Sequence, residues 1–218
     1  MRIKTFRGNF RDIGRQQGEI YRKNNLFYDP DDAINDKGLF IGLTFAHDNK
    51  WSYGLSCTHM IKLIAETCPT VKDALKVFKR VPLCYPKNFF IADDKGNMAV
   101  VEHTSSKRFR IVYPENGVLI HTNHYLDAGL AKEDRVLAEE PSHNTFVRYY
   151  EALRKINQRK EKFQLSDIMK ILGNTSSCVC QTGPNFQTIW SLALDMKKRR
   201  YKLYWDITSN RNARNIRI

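Results

Sequence analysis

From Phe89 onward the apolar residues fall into a period of two, and this alternation constrains the fold more than any other feature of the chain. Phe89 to Ala92, Met98 to Glu102, Phe109 to Tyr113 and Val118 to Thr122 read as four strands. Turns fall at Asp93-Asp94-Lys95-Gly96-Asn97 and Pro114-Glu115-Asn116-Gly117. Strands joined this tightly form an antiparallel meander, since a parallel neighbour needs a much longer crossover.

Upstream, Ile3 to Arg7 reads as a short strand, and Leu39 to Phe45 has the continuous apolar character of a strand covered on both faces. Asp12 to Asn24 has a helical pattern, with Ile13 and Ile20 seven apart and Gly14 and Gly18 on a small-residue face; Asn24 to Asp36 is acidic and turn-rich. Leu55 to Glu66 predicts a helix, and Thr70-Val71-Lys72-Asp73 opens a second that turns Ala74, Val77, Phe78 and Val81 inward and ends at Pro82. Helical spacing returns over Phe146 to Ile156 and Leu165 to Leu172, with Gly173 as a stop. Two last strands follow, Gln187 to Asp195 and Tyr201 to Asp206, around a turn at Lys197 to Arg200, and the Asn/Arg tail reads as frayed. Paired helices between runs of antiparallel strands predict an α+β fold in which helices cover packed sheets. With no repeat or Pro/Gly-rich linker, a single domain over 1–218 is expected.

A chain of 218 residues that is 42% hydrophobic can bury roughly 70% of its unfolded surface, so folding requires no metal or disulfide. Met1-Arg2-Ile3-Lys4 leads into polar residues rather than the apolar core of a signal peptide, which predicts a cytoplasmic protein. The longest apolar run, Leu39 to Ala46, falls far short of the ~20 residues of a membrane span. The five cysteines, at 57, 68, 84, 178 and 180, are odd in number and irregularly spaced, as in a reduced chain.

The net charge of +13 (36 − 23) is concentrated at the ends: residues 1–23 carry seven basic and two acidic side chains, and residues 197–218 carry eight and one. Lys197 to Arg200 with Tyr201, Tyr204, Trp205, Arg211, Arg214 and Arg217 could form a nucleic-acid surface. The strand and turn reading of the same residues weighs more, so nucleic acid is not the expected partner; a homo-oligomer is left open.

Gly14-Arg15-Gln16-Gln17-Gly18 lacks the Lys-Ser/Thr of a phosphate loop and lies inside a helical pattern, so no nucleotide cofactor is expected. His121 and His124 could share a metal only with Glu102 and Cys180, and no spacing requires it. Cys57 and His59, two apart in a helix, face different ways and make a poor catalytic pair.

Two stretches carry a resemblance. Ala33-Ile34-Asn35-Asp36-Lys37-Gly38-Leu39, and Gly117-Val118-Leu119-Ile120-His121-Thr122-Asn123-His124-Tyr125, resemble the N-terminal nucleophile amidases related to isopenicillin-N acyltransferase and choloylglycine hydrolase. Met60 to Cys68, Val71 to Leu75, Asn88 to Asp93 and Val101-Glu102-His103 keep the family's order between them. Phe6-Arg7-Gly8-Asn9 with Gly14-Arg15-Gln16-Gln17-Gly18 resembles its leading segment, and Thr188-Ile189-Trp190-Ser191 its final sheet. The resemblance implies an αββα sandwich and a linear-amide hydrolase or acyl-CoA-dependent N-acyltransferase acting on a small N-acyl amide or acyl-CoA. In such enzymes a cysteine thiolate attacks the carbonyl, its own α-amine is the base, and side-chain amides hold the oxyanion.

Asn35 and Asn123 match the two asparagines lining that site, and Arg148 matches the family arginine at the start of a following helix, with Thr145 in the other register. The residues alone also allow Asn35 as a turn residue and Asn123 as a strand cap. The chain departs from the family in one respect: Asn24 to Ala33 occupies the interval where the nucleophilic cysteine and an Arg-Asn-x-Asp pattern belong, and holds neither. The first cysteine is Cys57, in a predicted helix. A shortened member without its nucleophile is therefore expected, the alternative being a non-enzymatic module that binds nucleic acid or acidic partners through its basic ends.

Overall fold

The structure is a computed structural model that describes residues 3–6, 31–46, 51–104, 108–135, 144–159, 161–176, 179–181, 188, 190–205 and 213–217. The helix expected over Asp12 to Asn24 lies outside the described residues. The chain divides into two compact units, residues 1–141 and 142–218.

The first unit is built on a six-stranded antiparallel sheet in the order β1 (Ile3–Phe6), β2 (Asp32–Asn35), β3 (Leu39–Phe45), β4 (Lys87–Asp93), β5 (Met98–His103) and β6 (Phe109–Val112). Strand order follows chain order, as in the meander that the period-two pattern predicts. Helices α1 (Cys57–Thr67) and α2 (Val71–Arg80) are inserted between β3 and β4 and cover one face. Ser56 and Thr70 start them, each side chain accepting from the amide three residues on, His59 and Asp73.

Alternation then sorts the strands. Ile41, Phe89, Ile91 and Val101 face the helices and share a core with Met60, Ile61, Ile64 and Phe78. Each such side chain, fully withdrawn from water, contributes about 1.5–3 kcal/mol. The intervening residues, Thr44, Asn88 and Glu102 among them, face away from the helices.

In the second unit, α3 (Thr145–Asn157) and α4 (Leu165–Leu172) precede a three-stranded antiparallel sheet of β7 (Trp190–Asp195), β8 (Arg200–Trp205) and β9 (Ala213–Arg217). A reciprocal cap between Gln164 and Asp167 opens α4, and Gly173 closes it as expected. No helix among the described residues is long and apolar enough to cross a membrane.

Three sequence expectations are corrected. Asp32–Asn35, read as part of a turn-rich interval, is strand β2, its Asp and Asn outweighed by neighbours on both sides. Val118 to Thr122, read as a strand, makes only an isolated bridge between Val118 and Glu115. Its polar groups bond to side chains of the sheet instead of to a ladder. The tail, read as frayed, contains β9, which pairs with β8 from Tyr204↔Ala213 to Arg200↔Arg217.

Candidate functional site

On the helix-free face of the sheet, Thr44, Asn88 and Glu102 are register partners on β3, β4 and β5, so one residue from each strand forms a polar row. Neighbouring strands stand about 4.8 Å apart, which puts Thr44 and Glu102 roughly 10 Å from each other with Asn88 between them. His121 spans that gap. Its Nε2 is 2.9 Å from Glu102 Oε1 and its Nδ1 3.2 Å from Thr44 Oγ1. The Thr44 hydroxyl also donates to the Thr122 carbonyl at 2.9 Å.

Glu102 is fully buried and its carboxylate is saturated with donors: Oε1 also accepts from Leu126 N at 2.5 Å, and Oε2 from Asp127 N at 3.0 Å. A carboxylate taken out of water requires such partners. One acidic side chain thus fixes both the imidazole and the loop that carries it. Further anchors hold the segment: Thr122 Oγ1 to His124 Nδ1 at 3.1 Å, Tyr125 N to Asp134 Oδ2 at 2.8 Å, and Tyr125 OH to the His103 carbonyl at 3.2 Å. Asn123, half-buried, stands in this segment between two anchored residues.

Partners set the chemistry of the ring. Nε2 carries a hydrogen toward the carboxylate, while Nδ1 and the Thr122 carbonyl both face the single hydroxyl hydrogen of Thr44. The ring is thereby held between the Glu102 carboxylate and the Thr44 hydroxyl. Asn88 Nδ2 donates to the Phe45 carbonyl at 3.2 Å, which fixes the orientation of its amide and turns Oδ1 the other way, buried and without a partner among the described residues.

The sequence-matched residues are distributed differently. Asn35 is fully buried on the helix side of the sheet: Nδ2 donates to the carbonyls of Ala65 (3.1 Å) and Cys68 (2.8 Å), and Oδ1 accepts from Lys37 N and Leu39 N, both at 3.0 Å. Its carboxamide joins the β2–β3 turn to the last turn of α1, leaving neither amide hydrogen for an oxyanion. Asn35 and the segment bearing Asn123 lie on opposite faces of the sheet. Arg148 is half-buried in the first turn of α3, in the second unit, after the buried Thr145.

The described thiols lie elsewhere. Cys57 joins the helix-side core, with its sulfur 3.2 Å from the Tyr85 hydroxyl. Cys68 caps the end of α1, Cys84 precedes β4, and Cys180 is in the second unit; Cys178 lies outside the described residues. Burial pushes the pKa of all four upward, the opposite of what activates a sulfur nucleophile. Cys57 and His59 do not meet: the ring of His59 bonds to Ser56 Oγ at 2.6 Å. Among the described residues no group of three or more His, Cys, Asp or Glu side chains could hold a metal ion.

Glu102 and His121 were legible in the sequence only as poor metal ligands. The signal that finds the row is the polar residue in each apolar strand, Asn88 before Phe89 and Glu102 after Val101, both on the face that the helices leave uncovered.

Comparison with known proteins bears on this arrangement. A family model described as acyl-coenzyme A:6-aminopenicillanic acid acyl-transferase matches residues 21–210. Two solved structures of variants of conjugated bile acid hydrolase from Clostridium perfringens align with 14% identity each. One covers 87% of this chain and 73% of that one at a TM-score of 0.59, the other 91% and 74% at 0.61. This likeness shows the fold, α+β with antiparallel sheets and helices, in agreement with the sequence reading. No curated protein was matched.

Proposed function

Because the chain belongs to the acyl-coenzyme A:6-aminopenicillanic acid acyl-transferase family, we propose that the row Thr44–Asn88–Glu102 beneath His121, with Asn123 beside it, binds the acyl-amide group of a small N-acyl amide or acyl-CoA. In this reading the Asn123 amide donates to the carbonyl oxygen, and the His121 ring, held by Glu102 and Thr44, faces the substrate. Asn35 acts on the fold by fixing the β2–β3 turn. We propose further that the 218-residue chain does not cleave or transfer the acyl group through a cysteine.

The observation that carries the second statement is the placement of Cys57. The first thiol of the sequence points into the helix-side core, across the sheet from His121 and Glu102. The test is incubation with N-acyl amino acids or penicillin V, with and without a thiol alkylator. No alkylator-sensitive turnover is expected, and such turnover would refute the loss of the nucleophile.

One observation favours a second reading. The basic tail is a paired strand at the edge of the small sheet, and its register sets Arg217 opposite Arg200 and Asn215 opposite Lys202. A non-enzymatic module binding nucleic acid or acidic partners through this edge predicts affinity that falls steeply with salt and is lost when residues 207–218 are deleted.

A further inference from the structure

The helix side of the large sheet ends in a cationic group that the acyl site does not use. Lys87 opens β4, in register with Phe45 on β3 and His103 on β5, and is only 7% exposed. Its ammonium lies 3.3 Å from the centroid of the Phe45 ring and 5.6 Å from that of Tyr85. The Tyr85 ring in turn stands 5.1 Å from Trp51, and its hydroxyl 3.2 Å from Cys57 Sγ. Trp51 is 79% exposed and Phe45 52%, so the aromatic group runs from the buried ammonium to the surface.

Among the described residues no carboxylate stands within ion-pair distance of Lys87. The groups acting on it are the Cys57 thiol, the Tyr85 phenol, the more distant Asp31 carboxylate and, across the strand, the His103 ring. Aromatic faces attract the charge but offer no lone pairs for three N–H donors. A buried ammonium in this state is costly, and desolvation lowers its pKa to about 8. A monoanion would supply both the missing charge and the missing acceptors, and an apolar body attached to it would find the exposed rings of Trp51 and Phe45.

We propose that Lys87, Tyr85 and Trp51 form a binding site for the carboxylate of a small aromatic acid, with the carboxylate on the Lys87 ammonium and the ring of the acid against Trp51. The site lies across the sheet from His121 and Glu102 and is independent of the acyl-amide reading.

Benzoate titrated into the full chain, followed by calorimetry and tryptophan fluorescence, tests this. Saturable binding is expected, weakened at least about tenfold in Lys87→Met, because removing one partner of a buried charge pair forfeits most of its interaction. Lys87→Arg should retain binding, and Trp51→Ala should weaken it. Lys87→Met removes an unpaired buried charge, so urea unfolding should show it no less stable than the parent, which separates lost binding from lost folding. Affinity should decline as pH rises through about 8, where Lys87 loses its proton, rather than near the ordinary lysine value. Equal affinity in Lys87→Met, equal binding of benzyl alcohol, or no saturable benzoate binding up to about 10 mM would each overturn the proposal.

Discussion

Replacing Glu102 by Gln keeps the shape of the side chain and removes its charge, which makes it the sharpest test of how the polar row is held. The Gln oxygen can take the place of Oε1 and keep His121 Nε2 and Leu126 N as donors. Its NH2 then replaces Oε2 and meets the Asp127 amide, donor against donor, where the carboxylate accepted at 3.0 Å. The opposite orientation loses two donors instead of one. A hydrogen bond to a charged group contributes about 1.5–3 kcal/mol, and the two that survive fall to about 1 kcal/mol each. Relief of the carboxylate's burial offsets part of the loss. A net destabilisation of about 2–4 kcal/mol follows, or about 5–15 °C in Tm for a chain of this size. Urea unfolding followed by circular dichroism measures it, and a double-mutant cycle with His121→Leu isolates the pair, whose coupling should exceed about 0.5 kcal/mol. A Gln variant within about 0.5 kcal/mol of the parent, with no coupling to position 121, would refute the view that Glu102 organises the segment.

Asn35→Asp should destabilise by about 2–4 kcal/mol, because a carboxylate oxygen would face the carbonyls of Ala65 and Cys68 where the amide donated; an unchanged urea midpoint would contradict the clamp. His103, buried with Nδ1 unpartnered among the described residues and its ring stacked near Phe109, has its pKa lowered by desolvation from 6.5 to about 4, so the unfolded chain binds the extra proton between these values and stability falls on acidification across that window. His103→Phe removes this contribution, and its stability relative to the parent should rise by up to about 3 kcal/mol between pH 7 and pH 4; a constant difference would count against it. Asn123→Ala should weaken calorimetric binding of an N-acyl amino acid by about three- to tenfold while changing stability by less than about 1 kcal/mol, whereas equal affinity would remove Asn123 from the site.

The parts of the fold that were legible in the sequence are those governed by local pattern. The β4–β5 hairpin follows from alternation plus the Asp93 to Asn97 turn, where the Asp93 carboxylate accepts from Lys95 N and Asn97 N at 3.1 Å each. Helix α2 follows from the Thr70 cap and its apolar stripe. Strands β2 and β9 were not legible because each is short and its apolar residues are set among Asp, Asn or Arg. Asp32–Asn35 and Ala213–Arg217 are strands because a neighbouring edge supplies hydrogen bonds, a nonlocal cause that overrides composition. The reverse error at Val118 to Thr122 has the same origin, since alternating apolar residues read as a ladder while His121 and Thr122 are committed to groups on β3 and β5.

The placement of the two asparagines has a related cause. Linear order places Asn35 and Asn123 as equivalent carboxamides, but the parity of a residue along its strand decides which face it serves. Ala33 packs in the helix-side core, so Asn35, two residues on, points the same way and meets α1. Leu43 also packs against that core, so Thr44 points the other way, toward His121. Parity likewise divides Lys87 from Asn88, one residue apart on β4: Lys87 is set beside the aromatic residues and the Cys57 thiol, and Asn88 within the acidic and imidazole row. A shift of one residue in the register of β4 would exchange them, burying an ammonium next to Glu102 and exposing Phe89 on the wrong face. The hydrophobic pattern that selects this register thereby also keeps the thiol on one side of the sheet and the His121–Glu102 pair on the other, so the separation of Cys57 from His121 is a consequence of the same forces that close the core.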